Sequence, residues 1–545
     1  MRLKQISPAT IIVSLMAASL PLSYYSFSIS IILLFLYWLF QNNFNFQSSR
    51  STNAEKNFRL RFITNLHEKL TCFFNNRIAL IISSIYLLYV VGSLWSSNTH
   101  FIAQELRIKL PFLLLPVLFS GLHTFSKKEF NIILLTYCLA VFAGSLISFS
   151  IYLIHPISDT RELSPFIPHI RFSLNVCMAV IILFYLLFKE SHRSLATRSS
   201  LFILFTWLII FLFILKSITG IFLLSIFFVV QIAHQAWYSQ HLAIKISSRI
   251  LLISIPLLLL SYAFWFNNNY LNIAPVNLQV LDQKTINGNL YTHDTIQYGI
   301  ECGRYVGLYI CETELKEAWK KRSKHPYTST DKNGNELRVT LFRYLNTRNL
   351  HKDAAGLAQL SSKDIQNIEN GIANEGLIKP FNLTSRIDNF FMGLHEYRQT
   401  GNANGKSELQ RIEYYKATFH IIRNNWIAGV GTGDVDDAFS ETYKLMHSKL
   451  DMKHRGSSHN QYLYMGVAFG IPGILLFITW LLSLLFYKRA YTDFLFSAFF
   501  FIMAASMLTE DTIRHQAGVN YCIFFIVLLL ITRPVVPKQQ KCIEH

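Results

Sequence analysis

Long apolar runs separated by short polar stretches fill both ends of this 545-residue chain, and one long polar stretch late in the chain breaks the rhythm. The apolar segments cover about 9–25, 26–41, 78–96, 109–123, 130–154, 170–188, 201–215, 217–236, 250–266, 462–487, 491–508 and 518–533. A helix needs roughly 20 apolar residues to cross a bilayer. Continuous runs, as opposed to alternation, predict helices and not a β-barrel. The pattern therefore predicts an all-α polytopic membrane protein with about twelve transmembrane helices. The first two segments are cramped, as a tight hairpin or as one long helix broken near Pro21. The seventh and eighth are nearly fused, with only Lys216 and its neighbours between them. The start, Met1-Arg2-Leu3-Lys4 before an apolar stretch, has the form of a secretory signal. The next segment follows almost at once, so a retained first helix is expected.

The polar stretch divides the chain into 1–266 (transmembrane helices one to nine), a loop domain at 267–461, and 462–545 (helices ten to twelve and a tail). Nearly two hundred residues are far more than a connector needs, so this loop is expected to fold as a mainly helical module. The stretches 364–370 and 408–415 read as helices, and Lys332-Asn333-Gly334-Asn335 as a turn that could be a hairpin tip before Leu337 to Phe342.

Charge sets the orientation. Arg50, Lys56, Arg59, Arg61, Lys69 and Arg77 lie in one connection, Lys127 and Lys128 in the next but one, then Lys189, Arg193 and Arg198, then Lys245 and Arg249, then Lys488 and Arg489. Every second loop is basic, which predicts that those loops and both termini are cytoplasmic and that 267–461 is periplasmic. The same excess explains the formal net charge of +18, so no nucleic-acid partner is expected. The seven cysteines form no CxxC pair. Cys302 and Cys311 both fall in the long loop and could form a local disulfide if it lies outside the cytoplasm.

The residues able to do chemistry gather on the outward side. His459 sits in Ser458-His459-Asn460-Gln461-Tyr462, at the mouth of the tenth segment. An imidazole there can accept a proton where water meets lipid, or can simply cap the helix. Arg171 stands at the outer start of the sixth helix, where a guanidinium is costly without an anion or a partner. It either reaches phospholipid headgroups or forks a phosphate. Arg411 opens an amphipathic stretch, followed by Gly429-Val430-Gly431-Thr432-Gly433. These glycines allow backbone to approach a ligand closely, or merely stop a helix. Glu510 and Asp511 form an acidic pair at the outer end of the eleventh helix, either a solvated end or a general base with its helper. Lys216, on the same side, could add a phosphate contact. No Asp-x-Asp cluster, phosphate-binding Gly-Lys-Ser/Thr loop or Ser-His-Asp arrangement stands out, so no metal or cofactor is expected.

Arg411 with its tyrosine-rich helix, the Gly429 to Gly433 turn, and His459-Asn460-Gln461-Tyr462-Leu463 running into Gly466, Phe469-Gly470 and Gly473 together resemble the O-antigen ligase and polymerase superfamily of bacterial envelope glycosyltransferases. Arg171 is similar to that family's earlier periplasmic arginine. Tyr414 and Tyr415 stand where the family often has Trp, and about 267–400 exceeds the usual member. The resemblance implies a GT-C-like membrane enzyme of the bacterial inner membrane, acting on the periplasmic face without metal or nucleotide sugar. Its donor would be a glycan on undecaprenyl pyrophosphate and its acceptor, for a ligase, a sugar hydroxyl of lipid A–core or another glycan. His459 would act as base, Arg411 and Arg171 would stabilise the leaving pyrophosphate, and inversion would follow. Asn460, Gln461, Gly431, Gly433, Lys216 and Glu510 are the expected substrate contacts. The alternatives are an O-antigen or exopolysaccharide polymerase or a protein O-oligosaccharyltransferase of the same superfamily, or a transporter. A transporter would place ionisable groups at the bilayer midplane, where this sequence has almost none.

Overall fold

A computed structural model describes residues 6–41, 54–154, 160–190, 194–268, 276–378 and 383–532. Each of the twelve apolar segments falls on a helix. Seven helices are long and apolar enough to cross a membrane: Arg77–Trp95, Lys127–Ile154, His169–Phe188, Leu195–Ile214, Ile218–Tyr238, Leu242–Phe266 and Gln461–Thr492. Shorter apolar helices cover Pro8–Leu22, Tyr24–Phe40, Phe494–Ser506 and Gln516–Leu530, with Pro111–Ser120 shorter still. The chain is therefore an all-α, multi-pass membrane protein. The first pair is two helices hinged at Ser23, whose side chain caps the second. The seventh and eighth segments are also separate helices, divided at Lys216, which holds a left-handed φ of 53°. Met1 to Lys4, Arg50 and Arg193 lie outside the described residues.

The chain divides into two compact units. The first takes the described parts of Met1–Phe228, Ala417–Thr442 and Ser457–His545. Its centre is formed by His169–Phe188 and Gln516–Leu530, which are buried along most of their length. Tyr137 meets Phe525 edge to face at 5.1 Å, and Phe172 meets Phe211 likewise at 5.7 Å. Around them Ile11, Leu15, Ile29, Ile32, Leu87 and Ile203 are exposed. An outward apolar belt of this kind suits lipid and would be a liability in water. Side-chain caps fix where helices begin: Asn76 accepts from the Ala79 N–H, and Asp493 from the Phe496 N–H at 2.8 Å.

The second unit takes Val229–Lys416 and Tyr443–Gly456. Its polar part folds around one core in which Trp319, Leu341, Tyr344, Leu345, Leu357 and Ile368 pack together. The helices Glu312–Lys320, Leu337–Thr347, Ala354–Ala358 and Ser362–Glu369 supply most of it. The last begins with a capping box between Ser361 and Asp364. Among the described residues the only strands are Ile300–Glu301 and Arg304–Tyr305, paired antiparallel. The turn at Lys332–Asn335 is present, closed by Asp331 accepting from the Asn333 and Asn335 N–H groups at 2.9 and 3.0 Å. The hairpin stops after one bridge, Thr330 with Glu336, and Leu337 to Phe342 is helical because Leu337, Leu341 and Leu345 then share the core face. Glu301, fully buried, is held by a two-pronged Arg343 at 2.8 and 3.0 Å. Cys302 and Cys311 are both free thiols. The disulfide left open by the sequence is not formed, since Cys302 donates to Asp388 and Cys311 lies beside the Thr313 hydroxyl.

Candidate functional site

The residues that matter in the first unit meet on the connection 507–515, between Phe494–Ser506 and Gln516–Leu530. His459 lies just ahead of the helix Gln461–Phe486, in a left-handed conformation with φ 43°. A non-glycine residue there is uncommon and held by its surroundings. Those surroundings are Asn460 and Gln461. Asn460 caps the helix by accepting from the Leu463 N–H at 3.1 Å and donates to the Leu508 carbonyl at 2.9 Å. The buried Gln461 donates its N–H to Met507 and accepts from the Ile513 N–H at 2.9 Å. The sequence suggested both as substrate contacts; the structure shows them locking His459 to the connection.

His459 consequently faces Glu510, with Nδ1 to Oε2 at 3.6 Å, and its side chain remains about one-third exposed. Asp511 next to it is almost fully buried. It accepts from the Ser457 hydroxyl and lies 3.4 Å from Arg514, which also pairs with Asp436 at 2.6 Å. Burial alone would raise the Asp511 pKa. Arg514, the Ser457 hydrogen bond, His459 and His515 outweigh it and hold the carboxyl at about 2. His515 is shifted below its ordinary value, first by desolvation against the surrounding chain and then by Arg514, Arg171 and Lys109, in spite of Asp511.

Arg171 completes the arrangement. It is 5% exposed, and its Nη1 donates to the Thr512 hydroxyl at 3.1 Å. Among the described residues it has no carboxylate partner. A buried guanidinium bonded to one neutral hydroxyl is strongly disposed to take an anion. Arg171 and His459 thus reach the same short connection, through Thr512 and Glu510.

The N–H groups of the glycine turn are engaged by other parts of the first unit. Gly431 donates to the Ala468 carbonyl at 2.8 Å, Thr432 to Gly92 at 3.1 Å, and Gly433 to the Ser96 hydroxyl at 2.9 Å. These N–H groups bind protein, so the turn joins the broken helix at Gly470 (φ 70°) to the end of Arg77–Gly92. Asp434 extends the join by accepting from the Ser97 and Asn98 N–H groups. Lys216 lies in the same unit, at the break after Leu195–Ile214. Arg411 lies in the other unit, half-buried on the helix Ser407–Asn424. That helix is anchored by Glu413, which accepts from Tyr397, Lys416 and Ser448 at 2.6, 2.9 and 3.0 Å.

His459, Glu510 and Asp511 each present a ligand atom within 4.8 Å of the others, a set able to hold a cation. Asp511 is already engaged by Ser457 and Arg514, and the neighbouring arginines favour an anion at this place. Asp436, Ser457, Arg514 and His515 were not singled out by sequence. For Arg514 and His515 the one signal was the density of charge in Glu510-Asp511-Thr512-Ile513-Arg514-His515.

A bundle of apolar helices with ionisable groups gathered at one end of its central pair marks a multi-pass membrane protein. Residues 359–478 match the family model described as Wzy_C, O-antigen ligase, which supports the O-antigen ligase and polymerase superfamily for this chain. The match includes Arg411, Gly431, Gly433 and His459 to Gln461; Arg171, Lys216 and Glu510 fall outside it. No curated protein matches the chain.

Proposed function

We propose that this protein is an O-antigen ligase-type glycosyltransferase with twelve membrane spans, cytoplasmic termini and a periplasmic site in the bacterial inner membrane. The reaction moves a glycan from undecaprenyl pyrophosphate to a sugar hydroxyl of lipid A–core, with inversion. The observation that carries this reading is buried Arg171, without a carboxylate partner among the described residues and bonded to Thr512, two residues from the Glu510 that faces His459. An anion and an acceptor hydroxyl are both served there.

The leaving pyrophosphate gains negative charge as the anomeric bond breaks. Arg171 neutralises it; preorganised cations of this kind usually contribute most in such sites. The attacking hydroxyl gives its proton to His459 as the new glycosidic bond forms. Glu510 at Nδ1 orients the ring and makes Nε2 the nitrogen that takes the proton. The family match over 359–478 supports ligase or polymerase chemistry in general.

The test is the lipopolysaccharide profile and the carrier-linked glycans of cells carrying His459→Ala or Arg171→Lys as sole copy. Loss of all O-antigen from lipid A–core, with long chains accumulating on the carrier, is expected. Core bearing a single repeat, with no long chains anywhere, would make the enzyme a polymerase. Full transfer by His459→Ala would remove the proposed base.

A further inference from the structure

The second unit contains a cavity of about 520 Å³ that the proposed transfer chemistry does not use. This lies within the roughly 300–1,000 Å³ of small-molecule sites. Its walls are the helices Glu312–Lys320 and Ala354–Ala358 and the turn bearing Asn287 and Asn289. Room exists because Ala318, Ala354 and Ala358 lack the side chains that would fill it. Thr313, Glu317 and Lys321 are spaced four apart, so one helical stripe lines the cavity with a hydroxyl, a carboxylate and an ammonium.

Two features distinguish this wall from an ordinary surface groove. The first is that its polar groups are held in place. Glu314, 9% exposed, accepts from the Thr285 hydroxyl at 2.5 Å, the Asn289 and Asn287 amides at 2.8 and 3.2 Å, and the Ala354 N–H at 3.2 Å. The amide nitrogens of Asn287 and Asn289 are thereby committed inward, and their carbonyl oxygens are left as fixed acceptors. The second is that its charges are of both signs: Arg322 also lines it, donating to the Leu357 and Leu360 carbonyls at 2.6 Å each. Glu317 and Lys321 are exposed and form no ion pair among the described residues. Fixed planar amides and carboxylates with a hydroxyl and one ammonium match vicinal hydroxyls, which donate and accept in pairs. A phosphate would meet the Glu314 and Glu317 carboxylates beside Lys321 and Arg322, and a lipid chain would meet too few apolar groups. Groups already ordered lose little freedom when a ligand binds.

We propose that this cavity is an oligosaccharide-binding site, which holds the sugar chain of one substrate away from the reacting bond. The sugar comes from either the acceptor core or the carrier-linked donor, an assignment that rests on the glycan-transfer reading. The binding itself does not.

The test uses the full-length protein in nanodiscs with His459→Ala as background, so that turnover cannot consume a ligand. Two probes are titrated by saturation-transfer NMR: core oligosaccharide released from lipopolysaccharide by mild acid, and repeat-unit oligosaccharide released from the carrier. One of them should bind, and Glu317→Ala/Lys321→Ala should weaken it about tenfold, the effect of losing one or two hydrogen bonds. Ala358→Trp, at an exposed wall position, should block it by volume alone. Hydrogen exchange over 337–369 confirms that each variant stays folded. Binding of the core probe assigns the site to the acceptor, and binding of the repeat unit assigns it to the donor. Binding of neither, or equal binding by the variants, overturns the site. If the wild type binds sugar yet shows no transfer in cells, the transfer reading fails and the cavity stands.

Discussion

Asp511→Asn isolates the charge at the hub of the 507–515 connection while keeping its shape. Asn can still accept from Ser457, so the variant loses chiefly the charge that Arg514 meets at 3.4 Å. In the folded protein the carboxyl is held at about 2 against an ordinary 3.8. At roughly 1.4 kcal/mol per pH unit this corresponds to about 2 kcal/mol of stability at neutral pH. Asp511 is 1% exposed, so solvent screening takes little from that figure. The sign is that of a depressed carboxylate: the contribution is complete above about pH 4 and is lost as pH falls through about 2. Thermal unfolding in nanodiscs should therefore show Asp511→Asn less stable than wild type by about 2 kcal/mol at pH 7 and by about half of that at pH 3. Ser457→Ala should cost about 1.5–3 kcal/mol, the usual value for a hydrogen bond to a charged group. Equal stability at pH 7, or a gap that widens as the pH falls, would refute the ion-pair account of this connection.

Other sites give independent outcomes. Gly431 has φ 92°, and a Cβ there would lie 2.2 Å from Ser96 Oγ, so Gly431→Ala should destabilise by at least about 2 kcal/mol; Gly288→Ala, at φ 86° with nothing within 4 Å, should cost only about 1 kcal/mol, and equal melting shifts would refute the packing of the turn. Arg343→Met strands the fully buried Glu301 and should cost about 3–5 kcal/mol, most of which Arg343→Met/Glu301→Gln restores; a double variant no better than the single would refute the pairing. Burial raises Asp388 to about 6, so its stabilising effect fades between about pH 4 and 6, whereas burial lowers Lys352 to about 7, so stability returns between about pH 7 and 10. Amide protection of 337–352, corrected for intrinsic rates, should pass through a minimum near pH 6–7, and a steady rise across that range would refute the two assignments.

The helices were legible because an apolar run long enough to span a bilayer needs no tertiary information, and all twelve runs are helical. The Leu337 to Phe342 stretch was not, since Leu-Arg-Val-Thr-Leu-Phe alternates like a strand and only the core position of Leu345 one turn later settles it as a helix. His459 was legible from its place at a helix mouth. The polar residues around it were only partly so: Glu510 and Asp511 stood out as an acidic pair, but Asp436, Ser457 and Arg514 acquire meaning only when folding brings three distant stretches together. In sequence each is one more polar letter near a helix end. The glycine turn shows the same limit from the other side: a backbone free to approach a ligand and one free to approach another helix need the same glycines. The N–H groups that bind Ala468 and Ser96 are what distinguish the two. With the turn's N–H groups engaged by protein, the proposed reading puts the phosphate contact of the first unit on Arg171. Its sequence left headgroup and phosphate equally open, and in the structure its guanidinium is 5% exposed beside the Thr512 hydroxyl.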